Sequence, residues 1–288
     1  MSEKHLSATI VVATHKKYRM PDDPLYLPVH VGAEGKRDAK GNPLDFGYQK
    51  DNEGDNISLK NPRYCELTGI YWAWKNLECD YIGLVHYRRY FGGRRRGKDL
   101  FDSILTGREL QPMLGKYEVF VPTPQHYFIE TLYSHYAHTH YAEHLDATRA
   151  ILSERYPEYL DSYDKVLNQT HGYMFNMIIM DRAHFNIYCT WLFDILEELE
   201  KRIDDSLLDA FEGRLYGRIS EIIFNVWLDR QVETGAISTS SIKVLPLVYI
   251  EKVDWVKKGA SFLKAKFFHK KYNESFCRVQ ILQEDGFG

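Results

Sequence analysis

The stretch that most constrains this chain is residues 80–91, DYIGLVHYRRYF. Its first part, Tyr81-Ile82-Gly83-Leu84-Val85, is a short apolar run with β-branched members, as expected of a buried strand in a parallel sheet. The chemistry then changes within one residue. His86, Tyr87, Arg88, Arg89 and Tyr90 put an imidazole, two guanidinium groups and two phenols at the strand's carboxyl end. A Gly92-Gly93 turn and further base at Arg94, Arg95, Arg96 and Lys98 follow. In open α/β sheets, ligands bind beyond the carboxyl ends of the strands. Forked guanidinium groups at that place suit an anion, most simply a phosphate or diphosphate.

A chain of 288 residues, 44% hydrophobic and 14% aromatic, can bury a full core as one large domain or two modest ones, and no linker interrupts it. The net charge of −3 carries no global signal for nucleic acid, so any basic surface is local. Cys65, Cys79, Cys189 and Cys277 are widely spaced without a C-x-x-C pair. That disfavours a structural zinc site or a disulfide framework and suits a reducing cytoplasm. The first apolar run spans only residues 8–13, which reads as a core strand rather than a signal peptide. No apolar stretch approaches the roughly 18 residues of a membrane span.

Along the chain, Thr9-Ile10-Val11-Val12-Ala13 predicts a first buried strand, ending in a Thr14-His15-Lys16-Lys17-Tyr18 loop that either holds a nucleotide base or ribose or is an ordinary polar strand exit. A short edge strand is expected at residues 26–31 and a long loop at 34–54. In NPRYCELTGIYWAWKN, Asn61 as cap, Pro62 at the first position and helical spacing of Tyr64, Leu67, Tyr71 and Trp74 predict one core helix. Asp55, Asn56 and Asn61 put short polar groups at its entrance. Residues 98–114 read as helix and 117–121 as another strand.

The next segment holds five of the twelve histidines, His126, His135, His138, His140 and His144, without an H-E-x-x-H pattern. These read as surface or acceptor-cleft histidines rather than a metal cluster. A helix is expected over residues 146–159, and HGYMFNMIIM, residues 171–180, reads as a second informative strand in which Gly172 allows a bulge or a close backbone approach. A long helix at 183–202 and a helix from Arg218 through Trp227 follow, with Glu221 either plain helix surface or a cleft residue. The tail from Trp255 to Tyr272, WVKKGASFLKAKFFHKKY, has six lysines interleaved with Phe262, Leu263, Phe267 and Phe268. It reads equally as an anionic-membrane contact and as a solvated basic face.

Taken together, IVVATHKKY, DNISLKNPRYCELTGIYWAWKN, DYIGLVHYRRYF, HGYMFNMIIM and YCTWLFDILEELEKR resemble the bacterial capsular and exopolysaccharide-biosynthesis proteins of a glycosyltransferase family first described as a domain of unknown function. The resemblance runs over about residues 8–230. It implies an α/β fold of GT-A type, a Rossmann-like mixed sheet flanked by helices, with residues 1–250 as one domain that includes a helical acceptor side and 251–288 as a basic aromatic extension. It also implies a nucleotide-sugar donor, and for some members UDP-galactofuranose, with a growing lipid-linked glycan as acceptor, at the cytoplasmic side of the inner membrane.

In GT-A folds this strand commonly ends in an Asp-x-Asp pair that holds a divalent cation. Here His86-Tyr87-Arg88 stands in its place, so the expectation is metal-independent transfer, with manganese or magnesium left open. On this reading Arg88 and Arg89 stabilise the departing diphosphate. Thr14, His15, Tyr18, Asp55 and Asn56 hold the uridine, with Asn61, His86 and Tyr87 beside them, while His171, Gly172 and Tyr173 shape the sugar and acceptor side. Inverting transfer needs a base, for which Glu221 is the first candidate and His140 the reserve. Two rivals remain. A nucleotidyl or phosphoryl transferase would want a G-x-x-x-x-G-K-[ST] loop or magnesium carboxylates, and that loop is absent. A non-catalytic glycan- or membrane-binding module would use the aromatics and the basic tail.

Overall fold

The computed structural model describes residues 5–204, 206, 208, 209 and 211–251. The basic segment at 255–272, nearly all of the expected extension and Cys277 therefore lie outside the described residues. The chain opens with β1 (Ala8–Thr14), β2 (Tyr26–His30), the two-residue β3 (Gln49–Lys50), α1 (Asn61–Tyr64) and α2 (Leu67–Asn76). It continues through β4 (Tyr81–His86), β5 (Arg89–Phe91), α3 (Gly107–Leu110), β6 (Val119–Pro122) and β7 (Gln125–His126). Helices α4 (Leu132–Thr139), α5 (Glu143–Arg155) and α6 (Leu160–Leu167) precede β8 (His171–Gly172) and β9 (Ile178–Asp181). Then come α7 (Arg182–Arg202), α8 (Leu215–Glu233), β10 (Ile242–Leu245) and β11 (Leu247–Tyr249).

The fold is α/β, with a mixed sheet in the order β10-β6-β9-β4-β1-β2-β3. Strand β4 is parallel to β1, Ala8 lying opposite Tyr81 and Ala13 opposite His86, and antiparallel to β9 on its other side. Its apolar run is continuous because both faces are covered. Ile82 and Leu84 point into a core shared with α2, α5, α6, α7 and α8, while Tyr81 and Val85 point into a second core with Tyr90, Phe91, Ile104 and Leu105. Packing is close enough at Gly83 that a Cβ would come within 2.8 Å of Ile179 Cγ1 and 2.9 Å of the Ile178 carbonyl oxygen. Only glycine fits there.

Four expectations are corrected. The helix at 61–76 breaks at Cys65, whose φ of 53° ends α1 after one turn, and α2 resumes at Leu67. The strand at 171–180 is two strands, β8 and β9, separated by Phe175 and Asn176 at φ of 74° and 52°. Residues 98–114 form only turns of helix of three or four residues, among them α3 with a Thr106/Glu109 capping box. Finally, β2 is interior, because β3 supplies the edge from within the expected long loop. Among the described residues, no helix is long and apolar enough to cross a membrane.

Candidate active site

Beyond His86 the chain turns over Tyr87 and Arg88 and returns antiparallel as β5, so that His86 faces Arg89 across the hairpin. This turn lies where β1, β2 and β4 all end, which places two guanidinium groups at the carboxyl edge of the parallel strands. Arg88 lies over the Tyr87 ring at 4.9 Å, and its Nη1 donates to Glu251 Oε2 at 3.2 Å. Arg89 lies over the Phe175 ring at 4.5 Å, and its Nε is buried without a hydrogen-bond partner. A cavity of about 780 Å³ opens at this edge. Into it face Arg63, Arg88, Arg89 and Arg214, together with His15, His86 and two carboxylates, Glu66 and Glu221.

The far wall is the strained turn between β8 and β9. Left-handed backbone is costly for a phenylalanine and tolerated by an asparagine. Here it is held on every side. The His86 Nε2–H donates to the Phe175 carbonyl at 2.6 Å, which fixes the tautomer of a neutral imidazole. Asn176 Nδ2 donates to Glu66 Oε1 at 2.7 Å and to the Gly217 carbonyl at 3.0 Å, and its Oδ1 accepts from Ser220 Oγ at 2.7 Å. Ser220 and Asn176 are buried polar residues, and this network satisfies both while tying α8 to the turn.

The electrostatics differ sharply among the cleft groups. Burial, with the charge of Glu66 next, pushes the Glu221 carboxyl up to about 7, against the opposing pull of the Phe175 N–H, Arg89 and Arg214. Burial pushes His86 below its ordinary value, partly offset by Glu66. At the cleft mouth, desolvation and the charges of Lys16, Arg88 and Arg214 push His15 down to about 4. The cleft thus holds four permanent cations, two neutral imidazoles and a carboxyl that titrates near neutrality. At the end of β4, an imidazole that donates to a carbonyl and the guanidinium of Arg88 do not make the oxygen set a hard divalent cation needs. Among the described residues, no three His, Cys, Asp or Glu side chains converge as metal ligands.

A family profile described as a domain of unknown function, DUF4422, matches residues 9–232. The chain belongs to this family. Comparison with curated proteins finds no match. Among solved structures, this DUF4422 chain is similar to the apo structure of WbbM, a bifunctional glycosyltransferase, with a TM-score of 0.76 and 28% sequence identity. The match covers 85% of this chain and 46% of that one, so the chain spans about half the length of the protein it resembles.

In this DUF4422 member the residues singled out from sequence fall into three places. His15, Asn61, His86, Tyr87, Arg88, Arg89 and Glu221 line the one cleft. Tyr18 adjoins it, its ring 4.3 Å from that of Tyr87 and its hydroxyl donating to Glu251 Oε1 at 3.2 Å. His171, Gly172 and Tyr173 line a separate cavity of about 250 Å³ beside Asn225, whose Oδ1 accepts from the Tyr173 N–H at 2.7 Å.

The others sit elsewhere. Thr14 is buried, its hydroxyl donating to the Lys16 carbonyl at 2.7 Å, so it shapes the loop rather than the cleft wall. Asp55 lies against α2, its N–H donating to Asn76 Oδ1 at 3.2 Å, and Asn56 Oδ1 accepts from the Ser58 N–H at 3.1 Å. His140 is outside the cleft lining, 3.1 Å from Glu212 Oε2 and 3.3 Å from Arg218 Nη1, with burial pushing it down to about 4. Sequence reasoning missed Glu66, Arg63, Arg214 and Asn176. Arg63 and Glu66 were absorbed in an apparent continuous helix and Asn176 in an apparent strand. A Phe-Asn pair inside an apolar run was the available signal for the turn.

Proposed function

We propose that the cleft is the donor site of a glycosyltransferase that uses a UDP-sugar and delivers the sugar to a hydroxyl of a growing surface glycan. The observation that carries this reading is Glu221. A carboxyl near 7 shares one cavity with the guanidinium groups of Arg88 and Arg89 at the carboxyl edge of the sheet. A base poised near neutrality and fixed positive charge at a leaving group are the two parts that displacement at a sugar carbon requires. The likeness to WbbM, a glycosyltransferase by its description, supports the same reading.

In the proposed step the acceptor oxygen attacks the anomeric carbon as its bond to the diphosphate oxygen breaks. The hydroxyl proton passes to Glu221 and the departing electron pair remains on UDP, whose charge Arg88 and Arg89 neutralise. Attack opposite the leaving group inverts the configuration. The rings of Tyr87, His15 and Tyr18 form the aromatic surface proposed for the uracil. Galactofuranose is the proposed sugar, a lipid-linked polysaccharide the proposed acceptor, and the segment at 255–272 the proposed contact with the inner membrane. Arginines take the place of a metal-bound diphosphate site. Thermal-shift titration with UDP, with and without manganese and EDTA, followed by a UDP-sugar screen reading UDP release, tests this. Stabilisation by UDP in EDTA is expected. No response to UDP or any UDP-sugar rejects the donor site, and a response only with manganese rejects metal-free binding.

A further inference from the structure

Glu66 has no part in the step above, yet it is one of two carboxylates in the cleft. It is 8% exposed, and a carboxylate is rarely buried to that degree without a purpose for its charge. Its Oε1 is held by the amide of Asn176, which is itself fixed by Ser220 Oγ and the Gly217 carbonyl. Its Oε2 takes no hydrogen bond from any described residue. One oxygen is therefore anchored to a rigid, strained turn, and the other is left to the cavity as an acceptor.

Its position follows from what it acts on. Glu66, Glu221 and His86 line the same cavity, so Glu66 stands within reach of the proposed base and of the end of β4, and its charge raises both the Glu221 carboxyl and the His86 imidazole. Resting on the UDP-sugar reading, the diphosphate lies at Arg88 and Arg89 and the attacking hydroxyl at Glu221, which leaves the sugar ring between them. A sugar ring offers hydroxyl donors, and a fixed carboxylate oxygen is their strongest neutral-pH acceptor. We propose that Glu66 is a specificity-determining residue that accepts a hydrogen bond from a hydroxyl of the donor sugar, with Asn176 as the residue that positions it.

The test separates sugar from nucleotide. Calorimetric affinities are measured for UDP and for UDP-galactofuranose, UDP-galactose and UDP-glucose on the wild type and on Glu66→Gln. The expected result is a loss of about ten- to hundredfold for the sugar nucleotide that binds best, the range of a hydrogen bond to a charged group. UDP itself should change by less than about twofold, since it presents no sugar hydroxyl to this site. Equal losses for UDP and UDP-sugar, or no loss for either, overturn the role of Glu66. Should Glu66→Gln fail to fold, monodeoxy analogues of the best donor on the wild type give the same reading. One position must cost about tenfold or more, and a flat series overturns the proposal. If wild-type protein binds neither UDP nor any UDP-sugar, the donor site itself falls, a result distinct from binding that is indifferent to Glu66.

Discussion

Two regions of this molecule are dense in titratable groups, and they use them in opposite ways. In the histidine-rich segment around α4, nearly every polar atom is consumed locally. Buried Glu130 accepts from His135 Nδ1 at 2.9 Å and from His138 Nδ1 at 2.7 Å, His144 Nδ1 meets the Tyr136 hydroxyl at 3.0 Å, and His140 meets Glu212. In the cleft beyond β4, the strained turn at Phe175 and Asn176 anchors His86 and Glu66, and both also line a cavity. Density of ionisable residues therefore does not mark a site. What marks it is charge gathered around one cavity, where Arg63, Arg89, Arg214, Glu66 and Glu221 line the space together with Arg88, which also pairs with Glu251.

The sharpest way to break this contrast is Glu221→Gln, which should lower kcat by about 10²- to 10⁴-fold in a transfer assay while the fold persists. Because the native value of about 7 lies above the ordinary 4.5, the folded protein binds the extra proton between those pH values, and ionisation of Glu221 costs stability above that window. The glutamine variant should accordingly melt higher than wild type at pH 8, with the gain gone below about pH 4.5. Wild-type turnover should fall as pH drops through about 7. Next in size, Arg88→Ala should cost about 10²- to 10³-fold in kcat, as expected of a lost transition-state charge contact. Near-normal turnover in either variant would remove that residue from the reaction.

On the other side of the comparison, Glu130→Gln should leave turnover per folded molecule within about twofold yet lower stability by about 1–3 kcal/mol, the usual cost of a disrupted buried hydrogen-bond network. Burial works against the Glu130 charge, but the bonds from His138 and His135 outweigh it and lower its pKa. Its contribution is therefore present at neutral pH and is lost as pH falls through that lowered value, which acid melts of the two proteins would reveal. The smallest effect is expected for His140→Asn, with a rate change under about twofold at pH 7, since an imidazole pushed down to about 4 is a weak base. A large loss there would erase the distinction between the two regions.

How much of this was legible in the sequence depends on whether the signal was local. The strand at 81–86, its abrupt change to His86-Tyr87-Arg88-Arg89 and the long helix at 182–202 are properties of neighbouring residues, set by period and by steric preference. Glu221 could be named as a base candidate, but its standing as more than helix surface depends on burial against Phe175 and Glu66, which spacing along a helix does not encode. The breaks at Cys65 and at Phe175-Asn176 run against local propensity; side-chain bonds from Asn61 and Thr68 to the Cys65 carbonyl hold the first, and tertiary hydrogen bonds of Asn176 hold the second.

The sequence by itself therefore determined that a buried strand delivers two guanidinium groups to the carboxyl edge of an α/β sheet, because an apolar run and the charge that ends it are covalently adjacent. Only the tertiary structure decided which residues face those guanidinium groups. Glu66, Asn176 and Glu221 are brought to them from three separate stretches of the chain, and it is burial in that shared cavity, not residue type, that gives Glu221 a carboxyl near neutrality.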